Sequence, residues 1–333
     1  MSKVYSHLGS MTGLALLLSL SGCGASGGTT GTVAVVSPTP TPTSTPSPTP
    51  TPTPTPTSGS TSTASILCPY SQSTPNITLT TGVTATSTSS WTCSSTTRTL
   101  TANGVPNHQI GTFPNSGNPN TPTVQNVSFS ATLAPTLASS NNASRSLGYA
   151  LNGVKFDPGT GGSCPSTATK ASDCTAIGAG TYSLEALQSF FDFGVDSNNA
   201  HVQPGGIYHY HGMPEGVLTA AGVSSAAQRM LLIGWAPDGY PIYARYGYSV
   251  ATSALKVIKG SYAVDTVADA GRPSAANIPL GTFVSDWNYV AGSGDLDDCN
   301  GRFGVTPEFP SGIYHYYATD TYPYLPRCFK GTF

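Results

Sequence analysis

Residues 37–57 form an almost pure Pro-Thr repeat, and this segment limits where a folded domain can begin. Proline fixes φ and lacks an amide hydrogen, so the repeat predicts an extended polyproline II conformation of roughly 3.1 Å per residue. Such a segment buries no core and serves as a spacer. We therefore predict a disordered Pro/Thr stalk over residues 23–64 and an ordered chain that begins near residue 65.

The chain before the stalk has the pattern of a secretory signal. Lys3 precedes an apolar segment at residues 11–20, and small residues follow it. The run Leu20-Ser21-Gly22-Cys23 resembles a bacterial lipobox, in which the cysteine is acylated; an ordinary signal peptide cut elsewhere is the alternative. We predict a signal peptide over residues 1–22 and lipid attachment at Cys23. The lipid would hold the protein in the bacterial cell envelope, at the outer membrane or the cell surface.

Seven cysteines are present, and lipidation of Cys23 leaves an even set of six. An even set in an oxidising compartment predicts three disulfides. Six cysteines allow fifteen pairings, and we favour the sequential one because each pair brackets a turn-rich segment. Metal–thiolate ligation is the alternative, but the chain has no Cys-x-x-Cys pair. The favoured pairs are Cys68–Cys93, Cys164–Cys174 and Cys299–Cys328.

Charged residues are scarce in this chain. They make up 8% of it, with 13 Lys and Arg against 15 Asp and Glu. Basic residues form no cluster, so the electrostatic footprint of nucleic-acid binding is missing. No second apolar segment reaches membrane-spanning length, which leaves the lipid as the expected membrane contact.

Short strands dominate the pattern of the remaining chain. Asn152-Gly153 between two apolar runs predicts a two-residue hairpin. Helices are predicted only over residues 183–191 and 220–230. The predicted fold class is mainly β with minor α+β character, an antiparallel-sheet domain with a few short helices held by disulfides. Predicted strands include residues 207–211, 231–235, 242–246, 282–289 and 313–317.

One seven-residue stretch occurs twice. PGGIYHY at residues 204–210 recurs as PSGIYHY at residues 310–316, with six of seven positions identical. Two equivalent strands from a duplication would explain the match. Chance bias toward aromatic residues is the alternative.

The histidines beside these repeats predict a metal or catalytic site. Alternate side chains of a strand share a face, so His209 and His211 point one way and Tyr208 and Tyr210 the other. Two imidazoles at this spacing suit one transition-metal ion, and imidazole ligands favour copper or zinc. The alternative is a half-exposed sheet face whose imidazoles bond to backbone and Tyr hydroxyls. The candidate further ligands are His201, His315, His108, Glu215, Asp238 and a Tyr oxygen.

An acidic loop at residues 295–301 is a second candidate site. Closely spaced carboxylates with an amide oxygen and a glycine resemble the oxygen-rich loops that bind Ca²⁺. The spacing departs from the EF-hand pattern, in which a Glu would stand where this chain has Thr306. The alternative is an acidic turn fixed by the Cys299 disulfide. The candidate calcium ligands are Asp295, Asp297, Asp298 and Asn300.

Several longer motifs lie between residues 103 and 329. They are NGVPNH (103–108), FPN (113–115), GNPN (117–120), LNGV (151–154), NNAHVQP (198–204), YHYHG (208–212), GWAPDGYPIY (234–243), DDCNGR (297–302) and TDTYPYLPRCF (319–329). These motifs resemble the YHYH protein family, whose members are typically secreted or surface bacterial proteins without an established function. The resemblance implies one YHYH domain over residues 103–333, and it implies no reaction. Residues 65–102 are then a Ser/Thr-rich flank that contains the Cys68–Cys93 loop.

Three functions are open at this point, and the sequence does not decide whether the chain is an enzyme. The first is a surface-displayed lipoprotein domain that binds a transition metal through its His/Tyr strand. The second is a module for a surface glycan or a protein partner, since 17 Tyr and 3 Trp suit stacking on sugars. The third is a hydrolase with a His general base and an Asp partner; no G-x-S-x-G or H-E-x-x-H motif supports other hydrolytic mechanisms.

Overall fold

Strands account for most of the regular structure in a computed structural model that describes residues 68–142, 148–250 and 254–333. The fold class is mainly β, as predicted. The predictions for the signal peptide at 1–22, Cys23 and the stalk at 23–64 lie outside the described residues. One α-helix, α1 (Glu215–Ala220), and short 3-10 turns at Ala171–Asp173 and Val284–Asp286 complete the elements of the described chain.

The strands are short, and most of them pair antiparallel with a neighbour. In chain order they are β1 (Tyr70–Thr80), β2 (Val83–Cys93), β3 (Thr97–Ala102), β4 (Val127–Thr132), β5 (Leu137–Asn142), β6 (Tyr149–Ala150), β7 (Lys155–Phe156), β8 (Ser163–Cys164), β9 (Tyr182–Ser183), β10 (Ala200–Gln203), β11 (Ile207–Tyr210), β12 (Leu231–Trp235), β13 (Pro241–Ala244), β14 (Tyr246–Tyr248), β15 (Leu255–Val257), β16 (Tyr262–Val264), β17 (Trp287–Tyr289), β18 (Gly301–Gly304), β19 (Ile313–Ala318) and β20 (Phe329–Gly331).

Two sheets carry the architecture. The first has the order β1-β2-β3-β4, and the second has the order β10-β11-β7-β6-β12-β13-β19-β18. The first sheet spans residue 103, because β4 pairs with β3. Its Trp91 and Leu100 pack in one cluster with Trp235 and Tyr317 of the second sheet. The Ser/Thr-rich flank therefore shares a core with the chain that follows it.

The second face of the large sheet covers a separate core. Tyr208 and Tyr210 of β11 pack there with Phe156, and Tyr314 and Tyr316 of β19 belong to the same cluster. The sequence has 17 tyrosines, and nine of those that the structure describes are buried, so these tyrosines serve packing. Burying a large aromatic ring contributes on the order of 2 kcal/mol.

The predicted hairpin at Asn152-Gly153 is present, with a connection one residue longer than predicted. Tyr149 of β6 faces Lys155 of β7. Gly153 has φ 84°, a conformation that favours glycine. The backbone amide of Ala150 donates to Val154 at 2.8 Å and closes the turn.

Both predicted helices are wrong. Residues 185–191 form turns and bends, in which Gln188 Oε1 accepts the backbone amides of Phe190 at 2.6 Å and Phe191 at 2.8 Å. Local side-chain bonds of this kind compete with helical backbone bonds. The observed helix α1 lies earlier than predicted and ends where Gly222 takes φ 70°. Val223 then donates to Leu218 at 2.9 Å, the bond of a glycine C-terminal cap.

Two predicted strands are shorter than expected. The strand over 242–246 breaks at Arg245, which has φ 49° and separates β13 from β14. Of the strand over 282–289, only Trp287–Tyr289 is extended, because Asp286 accepts the Phe283 amide at 2.9 Å in a 3-10 turn. The strands at 207–211, 231–235 and 313–317 agree with the structure to within one residue.

Three disulfides join the pairs that the sequence favoured, Cys68–Cys93, Cys164–Cys174 and Cys299–Cys328. Disulfides persist in oxidising compartments, which agrees with a secreted protein. Among the described residues, no helix has the length and apolar character that crossing a bilayer requires.

Candidate metal site

Three histidines meet at the edge of the large sheet. β10 is its edge strand and pairs antiparallel with β11, which places His201 directly opposite His209. Cross-strand partners share a face of the sheet, and so do residues two apart along a strand. His211 follows His209 by two positions and therefore joins the same group.

The three rings are close enough to share one ion. One nitrogen from each imidazole lies within 4.8 Å of the others. Ring centroids are separated by 4.8 Å for His201 and His209, and by 4.6 Å for each of the two pairs with His211. The Nε2 atoms of His201 and His211 are 3.0 Å apart.

Backbone carbonyls orient two of the rings. The Nδ1 atom of His201 lies 2.9 Å from the Phe193 carbonyl, and that of His209 lies 3.1 Å from the Ile207 carbonyl. A carbonyl only accepts, so each Nδ1 carries the proton and donates it. The neutral ring then has its lone pair on Nε2. Histidine ligands of metal ions commonly donate their other ring N–H to such an acceptor, which fixes the tautomer and the ring orientation.

Burial keeps these imidazoles uncharged. Only 3% of His209 and 1% of His211 is exposed, whereas His201 is partly exposed. Burial lowers the pKa of His209 to about 3, with a further lowering from His201. Burial and the neighbouring histidines hold the pKa of His211 well below its usual range. Neutral imidazole is the form that binds metals.

An ion pair on the next strand lies beside the histidine group. β7 runs parallel to β11 and places Lys155 in register with His209. Lys155 Nζ lies 2.6 Å from Asp157 Oδ2. Burial lowers the pKa of His201, and the negative charge of Asp157 opposes this by raising it. Sequence reasoning missed both residues, because the pattern of a short strand does not tell which strand lies next to it.

The tyrosines of β11 point away from the histidines, as the alternation predicted. Tyr208 donates to Asp196 Oδ2 at 2.8 Å. The Tyr210 hydroxyl lies 2.6 Å from His108 Nε2 and accepts from Asn152 Nδ2 at 3.0 Å. His108 therefore lies with the tyrosines, and the structure does not bring it into the histidine group.

The other candidate ligands also lie elsewhere. His315 Nε2 lies 3.1 Å from the Tyr317 hydroxyl. Glu215 pairs with Arg245. Asp238 accepts from the Tyr316 hydroxyl at 2.6 Å and from the Gly331 amide at 2.9 Å. Each group has its own partners outside the His201, His209 and His211 site.

The candidate calcium loop does not gather its carboxylates. Asp295 pairs with Lys256, and Asp298 pairs with Lys330 at 2.6 Å. Asp297 Oδ1 accepts the backbone amides of Cys299 and Gly301, each at 3.0 Å. Asn300 donates its amide to the Tyr317 carbonyl at 2.9 Å. The loop is therefore an acidic turn whose carboxylates have separate partners.

Asp298 does lie within 4.8 Å of the sulfurs of Cys299 and Cys328. These sulfurs are joined in a disulfide, and the thiolate is the form of cysteine that binds metals. This group therefore lacks the donors of a metal site, and the histidine group has them.

Fold and site together define a disulfide-linked, mainly β protein with a three-histidine group that has the donors and spacing to hold a metal ion. The chain belongs to the YHYH protein family: the family model described as YHYH protein matches residues 128–331. The matched range contains all three histidines of the group. No curated protein and no solved structure matches the chain.

Proposed function

We propose that this protein is a surface-displayed lipoprotein whose YHYH domain binds one copper or zinc ion through His201, His209 and His211. The observation that carries the proposal is the 3.0 Å approach of His201 Nε2 to His211 Nε2. His201 presents a lone pair at this contact, because its proton lies on Nδ1. At this contact His211 Nε2 donates its proton to His201; a cation between the rings would replace that proton, and the His211 proton would then lie on Nδ1, which is buried without a hydrogen-bond partner among the described residues.

The donor set fits a borderline transition metal. Imidazole suits copper and zinc, whereas magnesium and calcium prefer oxygen ligands. Three neutral histidines leave at least one coordination position for water or a ligand, as in catalytic zinc sites. A metal bound here would supply Lewis-acid or, for copper, redox chemistry.

The other two functions have less support. The glycan-binding hypothesis relied on a Tyr-rich surface, and nine of the tyrosines are buried. The hydrolase hypothesis needs a histidine oriented by a carboxylate. In the part of the chain that the structure describes, the hydrogen bonds of the histidine nitrogens go to backbone carbonyls, tyrosine hydroxyls or another histidine, and none goes to a carboxylate.

Metal content of the purified domain tests the proposal. We expect about one copper or zinc ion per chain after reconstitution and desalting, measured by elemental analysis without an affinity His tag. His209→Ala and His211→Ala should each lower the content at least tenfold, because two imidazoles hold these ions far less tightly than three. His315→Ala is the matched control, since it removes an equally buried histidine outside the group.

Two results would contradict the metal proposal. One is wild-type protein that retains well below one ion per chain after reconstitution with either metal. The other is a His209→Ala, His211→Ala double variant with wild-type metal content.

Lipid anchoring is tested separately by Cys23→Ala. Acylation needs the cysteine sulfur, so the variant should leave the membrane fraction or persist as an unprocessed precursor. Cell fractionation with immunoblotting measures this, with Ser37→Ala in the stalk as the control. Membrane partition equal to that of the wild type, in a variant whose signal peptide has been removed, would eliminate the lipid anchor from the proposal.

A further inference from the structure

The eight-stranded sheet consists of two halves with the same topology. Counted outward from the centre, the first half runs β6-β7-β11-β10 and the second runs β12-β13-β19-β18. In the first half, β6 and β7 form an antiparallel hairpin, β11 lies parallel to β7, and β10, which precedes β11 in the chain, pairs antiparallel with it. The second half repeats this arrangement with β12, β13, β19 and β18. β6 and β12 join the halves as an antiparallel pair.

The two hairpins correspond in sequence and in backbone bonds. GYALNGVKF at residues 148–156 aligns with GWAPDGYPI at residues 234–242. The amide of Ala150 donates to Val154 at 2.8 Å, and the amide of Ala236 donates to Tyr240 at 2.9 Å. The turn glycines have φ 84° and 89°.

The buried tyrosines make equivalent contacts in both halves. Tyr210 contacts Asn152 in the first hairpin at 3.0 Å, and Tyr316 contacts Asp238 at the equivalent position of the second at 2.6 Å. The first tyrosine of each repeat also donates to an aspartate. Tyr208 bonds Asp196 at 2.8 Å and Tyr314 bonds Asp297 at 2.9 Å.

The turns before the outer strands match as well. Asp196 Oδ1 accepts the amide two residues later at 2.8 Å, and Asp297 Oδ1 does so at 3.0 Å. The turns then end at Asn199 and Asn300, with φ 53° and 58°. Left-handed asparagines at equivalent places, together with the shared bonds, exclude chance aromatic bias as the source of the repeat.

This correspondence gives each histidine of the candidate metal site an equivalent residue in the second half. His209 corresponds to His315, because both follow the first tyrosine of the repeat. His211 corresponds to Tyr317. His201 corresponds to Arg302, because His201 pairs with His209 as Arg302 pairs with His315.

The three counterparts in the second half, Arg302, Tyr317 and His315, are joined by hydrogen bonds. His315 Nδ1 lies 2.9 Å from the Ile313 carbonyl, as His209 Nδ1 lies near Ile207. On the other side of the ring, the Tyr317 hydroxyl lies 3.1 Å from His315 Nε2. Arg302 donates to that hydroxyl at 3.3 Å and to the Tyr248 carbonyl at 2.6 Å.

We infer that the domain is a duplication whose second half contains a counterpart of the metal site, in which the Arg302 guanidinium stands in place of the ion. The inference that this counterpart is a former metal site rests on the proposed function. Arginine is positively charged at every accessible pH, so it supplies a fixed positive charge where the first half would hold a cation. The proposal explains why one half has three histidines and the other has one, and it sets the metal content at one ion per chain.

Restoring the histidines tests the inference. The variant Arg302→His, Tyr317→His copies the first set into the second half, and its metal content should rise from about one to about two zinc ions per chain. Adding His209→Ala and His211→Ala to it should return the content to one, now held by the second half. Zinc alone is the probe, and circular dichroism verifies the fold.

The reciprocal exchange provides a second test that does not need the first variant to fold. His201→Arg, His211→Tyr should abolish metal binding and melt at a higher temperature without metal than His201→Ala, His211→Ala. A lower melting temperature than that of the alanine pair would overturn the inference. So would a folded Arg302→His, Tyr317→His variant that holds no more zinc than the wild type.

The outcomes separate this inference from the proposed function. If the wild type holds no zinc and the folded Arg302→His, Tyr317→His variant also holds none, both fail. If the wild type holds one ion and the folded variant still holds one, only the inference fails.

Discussion

Saturating zinc or copper should raise the free energy of unfolding of this domain by about 4 kcal/mol when the free ion is at about 1,000 times its dissociation constant. The ion would bind the native state, in which β10 and β11 hold three imidazoles together. The unfolded chain separates them and loses most of that affinity. For a domain of this size the gain corresponds to a rise in melting temperature of roughly 8–16 °C, at about 2–4 °C per kcal/mol.

Thermal melts with added metal and with a chelator measure this effect. The triple variant His201→Ala, His209→Ala, His211→Ala should melt at one temperature in both conditions. His315→Ala should keep the full response to metal, whatever its own stability. A melting temperature of the wild type that does not change between metal and chelator would contradict the prediction.

The part of the candidate site that lies on one strand could be predicted from the alternation of its side chains. Strand alternation placed His209 and His211 on one face and Tyr208 on the other, and the structure has this arrangement. Alternation depends only on backbone geometry within one strand. β10 pairs with β11 across the short turn at residues 204–206, and the register of this hairpin places His201 opposite His209. The strand pattern at residues 200–203 did not predict β10, so His201 could be named only as one of several candidates.

The position of His108 shows the same limit. Residue type alone places it with the other histidines, whereas in the structure it bonds to Tyr210 on the opposite face. Nothing in its neighbouring residues indicates which face of the sheet its loop reaches. The acidic loop was similar, because the lysines that pair with Asp295 and Asp298 come from elsewhere in the chain.

The duplication was visible in the sequence only in part. The repeat around Tyr208 and Tyr314 was evident from identity. The matching hairpins share a glycine, an aromatic residue, an alanine, an Asn or Asp and a second glycine across nine positions. Glycine and Asn or Asp are common in any turn, so this match alone does not indicate a duplication. It does so once the matching strand order of the two halves shows that the hairpins are equivalent.

The helix errors have a different cause. Residues 183–191 and 220–230 contain good helix formers, but helix propensity is a weak prior that tertiary contacts override. Phe193 and Leu184 pack in a cluster with Phe283, and this packing favours the turn over a helix. At Gly222 the helix is ended by a glycine cap, and the predicted segment began where the real helix stops.

Asp286→Ala should lower the free energy of unfolding by about 3–5 kcal/mol, because it leaves a buried guanidinium without its counter-charge. The Arg272 and Asp286 side chains are 0% and 1% exposed and lie 2.6 Å apart. Asp286 also accepts the backbone amides of Gly281 at 3.0 Å and Phe283 at 2.9 Å. Arg272 further donates to the Ile278 carbonyl at 2.9 Å and lies over the Phe283 ring.

The Arg272–Asp286 pair therefore holds both ends of the loop before β17. Urea unfolding measures how much Asp286→Ala lowers the free energy of unfolding. The control is Lys256→Ala, which breaks an ion pair whose lysine is 44% exposed and should cost less than about 1 kcal/mol. The double variant Arg272→Met, Asp286→Leu should recover only part of the loss: it removes both buried charges together, but the Gly281 and Phe283 amides still lose their acceptor. A loss below about 1 kcal/mol for Asp286→Ala would mean that water reaches the guanidinium, contrary to the burial of this pair.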